Sequence, residues 1–255
     1  MTVTTRRLVT LKSAREIAAM RVAGAIVAEV LETLGPAVQE GVRTRDLDRQ
    51  AEELIRGAGA IPSFKGYRGY PASICVSIGE EIVHGIPGDR RIAAGDVVSL
   101  DAGAIWDGYH GDAARTFTVG DVSQEVCDLV ETTRRALDAG IAAARPGRRI
   151  GDISAAIEDV ARTRGYGIVR QYVGHGIGTE MHEEPQVPNF RSAQRGMALQ
   201  PGLCLAIEPM FTLGSHETVL RDDGWTVATR DHSLAAHFED TIAITDEGTE
   251  VLTRR

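Results

Sequence analysis

Residues 41–59, GVRTRDLDRQAEELIRGAG, return 106 positions later as residues 147–165, GRRIGDISAAIEDVARTRG. Gly41/Gly147, Arg43/Arg149, Asp46/Asp152, Glu52/Glu158, Arg56/Arg162 and Gly59/Gly165 are identical, and Leu47/Ile153 and Leu54/Val160 are similar. The matches read as an internal duplication, with generic amphipathic helix composition as the plainer alternative. Each copy follows a second helical pattern. The first runs from about Ser13 to Leu34, with Ile17, Met20, Val27, Val30, Leu31 and Leu34 at helical spacing; the other runs from about Ser123 to Ala144, with Val126, Leu129, Val130, Leu137 and Ile141. Ser13, Ser123 and Thr44 stand where N-caps belong, and Gly35, Gly59 and Gly165 where helices stop. Strand-like segments come next in each copy: Ser73–Ile78, Val97–Leu100 and Ala113–Val119, then Leu203–Ile207 and Phe238–Ile244. The expected fold class is α+β: two pseudo-symmetric α/β halves, about residues 12–120 and 121–250, packed face to face with a cleft where their antiparallel sheets meet. No linker or low-complexity run divides the halves, so residues 1–255 read as one domain.

The remaining composition excludes several classes. With 43% hydrophobic and 25% charged residues, the chain is neither disordered nor fibrous. A net charge of -8 argues against a phosphate-backbone binder, and Arg6, Arg7, Arg254 and Arg255 read as solvated terminal charges. The first residues carry arginines but no apolar run after them, unlike a secretory signal. The apolar stretch Val22–Leu34 is interrupted by Glu29 and Glu32 and is too short to span a bilayer. Cys75, Cys127 and Cys204 form no CxxC pair and no even disulfide set, which points to a reducing, cytoplasmic setting.

Chemistry concentrates first in VVSLDAGAIWDGYHGDAARTFTV, residues 97–119. Apolar alternation on both sides of Asp107-Gly108 predicts a hairpin with a two-residue turn. In that register Asp101 faces Ala114, and Asp112 lies two residues away on the same face. Diagonal neighbours sit roughly 7–8 Å apart, close enough for two carboxylates to converge. Converging carboxylates repel, so one must stay protonated or a divalent ion must lie between them. Two solvent-facing turn acids are the alternative at this point, and Asp107 reads as one.

The second concentration is YVGHGIGTEMHEEPQVPN, residues 172–189. Glycines flank His175 and admit a close approach to whatever the imidazole binds, and His182 follows seven residues later. His84, held in VHGIPG by Gly85 and Pro87, reads either way; His110, His216, His232 and His237 read as structural. Glu208 and Glu239 interrupt apolar strands, where an isolated carboxylate needs either an arginine or a metal. Two aspartates, two glutamates and one histidine form a hard donor set suited to Mn, Fe(II), Co or Zn. Four carboxylates balance two divalent ions.

Taken in order, His84 in HGIP, Asp101, Asp112, His175 in GHGIG, His182 in MHEEP, Glu208 in IEP and Glu239 before DT resemble the methionine aminopeptidases, and most resemble their short bacterial type I form. The similarity runs over roughly residues 10–250. It implies the pita-bread fold and a single catalytic domain. It also implies two divalent metal ions (Co, Mn, Fe(II) or Zn) held by Asp101, Asp112, His175, Glu208 and Glu239, with Asp112 and Glu239 bridging. Glu208 would move the proton from the attacking water, and His84 and His182 would contact the substrate as catalytic histidines. Tyr67, Tyr70, Cys75 and Trp225 would line the methionine pocket, together with Phe64 and Met181, which stand where relatives commonly have cysteine and phenylalanine.

Gly79 and Ala235 replace residues of the family's monovalent-cation site, and His237 stands where a glutamine is common. The implied reaction removes the initiator methionine from nascent chains whose second residue is small. Thr2 is of that kind, making the chain a candidate substrate of itself. The implied partners are polypeptide N-termini beginning with Met, with transient ribosome contact, no nucleic-acid specificity, no membrane and a monomeric state. Three alternatives share the fold: an Xaa-Pro aminopeptidase or dipeptidase, whose relatives usually carry an extra N-terminal domain; a metal-free creatinase-type hydrolase, which lacks the five-ligand set present here; and a non-enzymatic binding protein, which would have lost ligands.

Overall fold

The computed structural model describes residues 9–255, so Thr2, Arg6 and Arg7 lie outside the described residues. Four helices carry the fold: α1 (Ala14–Leu34), α2 (Thr44–Gly57), α3 (Gln124–Ala143) and α4 (Ile150–Arg162). Ser13 caps α1 through a capping box: Glu16 N–H donates to Ser13 Oγ at 3.4 Å, and Ser13 N–H donates to Glu16 Oε2 at 2.7 Å. Ser123 caps α3 by accepting from Val126 N–H. Thr44 does not cap α2. It is the first helical residue, Arg43 takes the cap position, and Thr44 Oγ1 accepts instead from Gly88 N–H at 2.8 Å. Gly35 directly follows the end of α1, as expected, with right-handed dihedrals that lead into a short 3-10 turn, Gly35–Ala37.

The repeated residues do the same jobs twice. Helices α2 and α4 begin 106 residues apart, at Thr44 and Ile150. Glu52 pairs with Arg56 at 2.8 Å, and Glu158 with Arg162 at 3.2 Å. Gly41 and Gly147 enter the two helices at φ 84° and 80°, and Gly59 and Gly165 leave them at 78° and 71°, a region that disfavours any Cβ.

The main sheet is antiparallel throughout. Its path runs Ile61–Pro62, Val97–Trp106, Tyr109–Thr118, Glu239–Thr245, Cys204–Ile207, Gly174–Gly176 and Glu183–Val187. Ile74–Ile78 also pairs with Val97–Trp106, and Gly248–Val251 with Glu239–Thr245. The halves therefore join edge to edge, through Ala113 opposite Asp240 and Ala114 opposite Glu239, rather than facing each other as two separate sheets. This pairing satisfies backbone groups that two open edges would leave without partners.

Alternation then divides the sheet into two faces. Val98, Leu100, Ala102 and Ala104 join Val27, Leu31, Leu47 and Ile55 in the first core, and Leu205, Ile207, Ile242 and Ile244 join Leu129, Leu137, Ile153 and Ile157 in the second. The helices cover this face. Residues one step out of phase, Asp101 and Thr241 among them, point to the opposite face.

Helix α1 lies unusually close to the strands. A Cβ on Gly24 would come 2.2 Å from Leu252 O, and one on Gly111 would come 2.7 Å from Gly24 N. Gly24→Ala is therefore expected to lower the unfolding free energy by about 1–3 kcal/mol, despite alanine's better helix propensity. Gly57→Ala, which meets nothing within 4 Å, should be neutral or stabilising by up to about 1 kcal/mol. Urea denaturation of both variants checks this, and a stabilised Gly24→Ala protein would contradict the packing.

Candidate metal centre

Strand register alone brings the acids together. The hairpin pairs Val97 with Thr118 through to Trp106 with Tyr109, so Asp101 stands opposite Ala114, as the sequence register requires. Asp107 and Gly108 form its turn at φ 48° and 80°. Ala114 also faces Glu239 across the junction between the halves. Asp101, Ala114 and Glu239 thus form one row across three strands, with Asp112 two residues from Ala114 on the same face. His175 pairs with Ala206, which pairs in turn with Thr241, two residues from Glu239. Glu208 lies just beyond the end of the Ala206 strand, in phase with it.

The groups meet in a cavity of about 260 Å³. Asp101, Asp112, His175, Glu208 and Glu239 line it, as do His84, His182, Phe64, Tyr67, Tyr70, Cys75, Met181 and Trp225. Arg68, Val83, Tyr172 and His237 complete the wall. A larger open groove of about 620 Å³ elsewhere contains none of these acids, and its arginines, Arg115, Arg134, Arg254 and Arg255, are all paired with carboxylates.

Donor atoms of Asp112, His175 and Glu239 lie within 4.8 Å of one another, and so do those of Glu208, His237 and Glu239. His175 Nε2 stands 3.6 Å from Glu208 Oε1. His175 Nδ1 bonds the Gly176 carbonyl at 2.8 Å, which leaves Nε2 as the unprotonated nitrogen facing the acids. Backbone anchors fix the ligand-bearing residues. Thr241 Oγ1 bonds both the N–H and the carbonyl of Asp112, and Asn189 donates to Glu208 O at 3.0 Å.

No cation of the protein neutralises these carboxylates among the described residues. The Arg115 guanidinium bonds the Glu239 carbonyl and the carboxylate of Asp240 instead. Asp101 Oδ1, Asp112 Oδ1 and Glu239 Oε1 are buried without hydrogen-bond partners. Burial pushes the Asp101 carboxyl up to about 7. Burial, followed by repulsion from neighbouring acids, raises Asp112, Glu208 and Glu239 well above the usual carboxylate range. Burial drives the histidines the other way, His175 to about 4 and His182 to about 3. Neutral imidazoles beside partnerless carboxylates fit hard or borderline divalent cations, which would satisfy the orphaned oxygens.

The histidines beside the cluster are held differently. Tyr67 Oη bonds His182 Nδ1 at 2.9 Å, and the His182 ring centroid lies 4.3 Å from that of His175. His84 adopts φ 62°, unusual for a residue with a Cβ. Gly85 locks it in place: Gly85 N–H donates to Ser77 Oγ, Gly85 O accepts from Tyr70 Oη, and a Cβ there would come 2.3 Å from Val76 O. The other end of the cavity is apolar, with Phe64, Tyr70, Cys75 and Met181 forming one buried cluster flanked by Tyr67 and Trp225. Phe64 and Met181 therefore share one wall of the cavity. Ala235 N–H bonds Gly79 O directly at 3.0 Å.

The structural default holds for His110, which bonds Ser63, and for His232, which bonds Glu80. It fails for His237, a buried ring facing Glu208 and Glu239. The available signal was its position two residues before Glu239, which on a strand means the same face. Arg68, in the short 3-10 turn Tyr67–Gly69, Val83, at the end of the strand Glu81–Val83, and Tyr172, in a loop, had no comparable signal.

The profile of metallopeptidase family M24 matches residues 18–246. Methionine aminopeptidase of Clostridium acetobutylicum is 51% identical over 247 residues, covering 96% of this chain and 99% of that protein. Methionine aminopeptidase 1 of Bacillus subtilis is 48% identical, covering 95% and 98%. Among solved structures, methionine aminopeptidase from Thermotoga maritima superposes with a TM-score of 0.95 at 40% identity, covering 97% of this chain and all of that one. Prolidase from Pyrococcus furiosus gives 0.77 at 25% identity, and the chain spans 65% of its length.

The shifted groups predict a pH dependence for the metal-free protein. Below about pH 6.5 the two sets oppose each other, since depressed histidines gain stability as pH rises and raised carboxyls lose it. Above that value the histidines approach neutrality in the unfolded state as well as the folded one, so the carboxyls come to dominate. The folded state then holds more protons than the unfolded one, and stability falls as pH rises from 6.5 to 8. The Tm of chelator-treated protein should drop over this range, and the rise in Tm on adding Mn(II) should grow. A flat metal-free profile would count against the buried acid cluster.

Proposed function

The chain belongs to metallopeptidase family M24, and from that premise we propose how it works as a methionine aminopeptidase, removing the initiator methionine from nascent proteins and peptides with a small second residue. The observation that carries this reading is the cavity's division into a metal-fitting acidic end and an apolar end built from Phe64, Tyr70, Cys75 and Met181. A flexible thioether side chain suits that apolar end, with soft contacts to Cys75 and the aromatic rings. Asp101, Asp112, His175, Glu208 and Glu239 would hold the ions. Bound divalent ions supply Lewis acidity and a water whose pKa falls from 15.7 towards about 7.

Everything else falls to the chain itself. Glu208, buried beside His175, accepts the proton of the attacking water and returns it to the leaving amine. His182, steadied by Tyr67, and His84, locked by its loop, donate to the carbonyl oxygen and the scissile amide, where charge develops in the transition state. Phe64 through Asp112 come from one half of the chain and Tyr172 through Glu239 from the other, so the site is complete only in a single catalytic domain spanning both halves. Cytoplasmic work on nascent chains fits a described structure with no helix long and apolar enough to cross a membrane. An Xaa-Pro activity is less supported: the prolidase likeness is weaker than that to the methionine aminopeptidases, and the chain spans less of that protein.

The test is methionine release from Met-Ala-Ser by chelator-stripped protein, with and without Mn(II), Co(II) or Fe(II), beside an Ala-Pro-Ser control. Metal-restored cleavage of the first peptide alone is expected; cleavage of the control alone would transfer the chain to the Xaa-Pro peptidases. Glu208→Gln should lower kcat by at least about 100-fold. His182→Ala and His84→Ala should lower kcat by roughly 100-fold with far smaller changes in KM, and an unchanged kcat would remove them from the chemistry.

A further inference from the structure

His237 has a role that neither its sequence context nor the five-ligand set assigns. The residue is 1% exposed, and neither ring nitrogen, Nδ1 nor Nε2, has a hydrogen-bond partner. Its backbone is pinned by Thr116, whose Oγ1 donates to His237 O at 2.7 Å and accepts from His237 N–H at 2.9 Å. The ring is therefore aimed from a rigid strand. Nε2 lies 3.9 Å from Glu208 Oε2 and 3.7 Å from Glu239 Oε2.

Those separations are too long for hydrogen bonds, which would fall near 2.7–3.2 Å. They do match the spacing of donors around a shared ion: two ligands each about 2.1 Å from a metal stand roughly 3.0–4.2 Å apart as the angle opens from 90° to 180°. The His175–Glu208 pair, 3.6 Å apart, shows the same spacing. Glu208 thus sits between two imidazoles, one facing each of its oxygens.

We propose that His237 is a sixth donor of the centre, a second imidazole that binds a divalent ion jointly with Glu208 and Glu239. The inference rests on the metallopeptidase reading of this cavity. A second nitrogen donor shifts the ion preference. Imidazole suits Co(II) and Zn(II), whereas an all-oxygen set suits Mn(II), so His237 favours the former.

The experiment titrates chelator-stripped protein, wild type and His237→Gln, with Co(II) and separately with Mn(II) by calorimetry. It also counts contact-shifted imidazole N–H resonances in the proton NMR spectrum of the Co(II)-loaded protein. Glutamine keeps an N–H donor of similar reach but is a poor ligand. Two shifted imidazole N–H signals are expected in wild type and one in the variant. Co(II) affinity should fall by at least about tenfold, the least that even an outer partner's loss costs, and Mn(II) affinity by much less. The wild-type count needs no variant to fold. One signal in wild type, with unchanged Co(II) affinity in His237→Gln, would overturn the proposal and leave His237 as packing. Wild type that binds no Co(II) at all would instead overturn the metal centre on which the proposal stands.

Discussion

Four carboxylates occupy one patch of sheet with no arginine or lysine among the described residues paired to them, and the rest of the molecule is arranged around that conflict. Left alone, each charge would cost several kcal/mol in lost solvation, beyond the repulsion among them. The Arg115 guanidinium is drawn off to Asp240 and to the Glu239 carbonyl, so it stiffens the strand carrying Glu239 without pairing with the site's carboxylates. Arg254 and Thr253 bond the same aspartate, tying the end of the chain to that strand. The rigidity is necessary, because acids free to move would separate and the donor geometry would be lost. A divalent ion resolves the repulsion, so this part of the sheet is shaped for an ion that the protein does not itself supply.

The two-layer construction explains how such a site coexists with a stable fold. On each central strand, alternate residues face the helices and build two apolar cores, one per half, while the residues between them face the cavity. Stability and chemistry are thus separated by a period of two, and an acid can be added to the cavity face without removing a methyl group from the core. Close approach of α1 at Gly24 and Gly111 holds the hairpin to its helix from behind. On the cavity side, the buried pair Lys12–Glu183, at 2.5 Å, anchors the segment that carries His182 to the start of the described chain.

Much of this was legible in the chain itself. Local rules settled the helices, the Asp107-Gly108 turn and the hairpin register, because each depends on residues only a few positions apart. The internal repeat announced two similar halves, since the same glycines, the same first-turn acid and the same Glu–Arg pair are needed wherever that helix is built. Glu208 and Glu239 stood out by their cost, since a carboxylate on an apolar strand needs a partner, while Asp101 and Asp112 stood out by the hairpin register and His175 by its flanking glycines. The family resemblance then ordered those residues into one site.

Tertiary structure alone decided three things. The halves join by hydrogen-bonding Ala113 and Ala114 to Asp240 and Glu239, residues more than 120 positions apart, and no local pattern encodes which strand edge meets which. Thr44 gave up its cap for Gly88 because that loop folds back onto it. His237 moved from a structural default to the centre of the acid cluster because burial, orientation and the absence of any hydrogen-bond partner are properties of packing. Sequence fixes which side chains share a strand face, because that depends on covalent spacing. The folded chain decides which faces meet and what lies between them, because that depends on contacts made across the whole length of the protein.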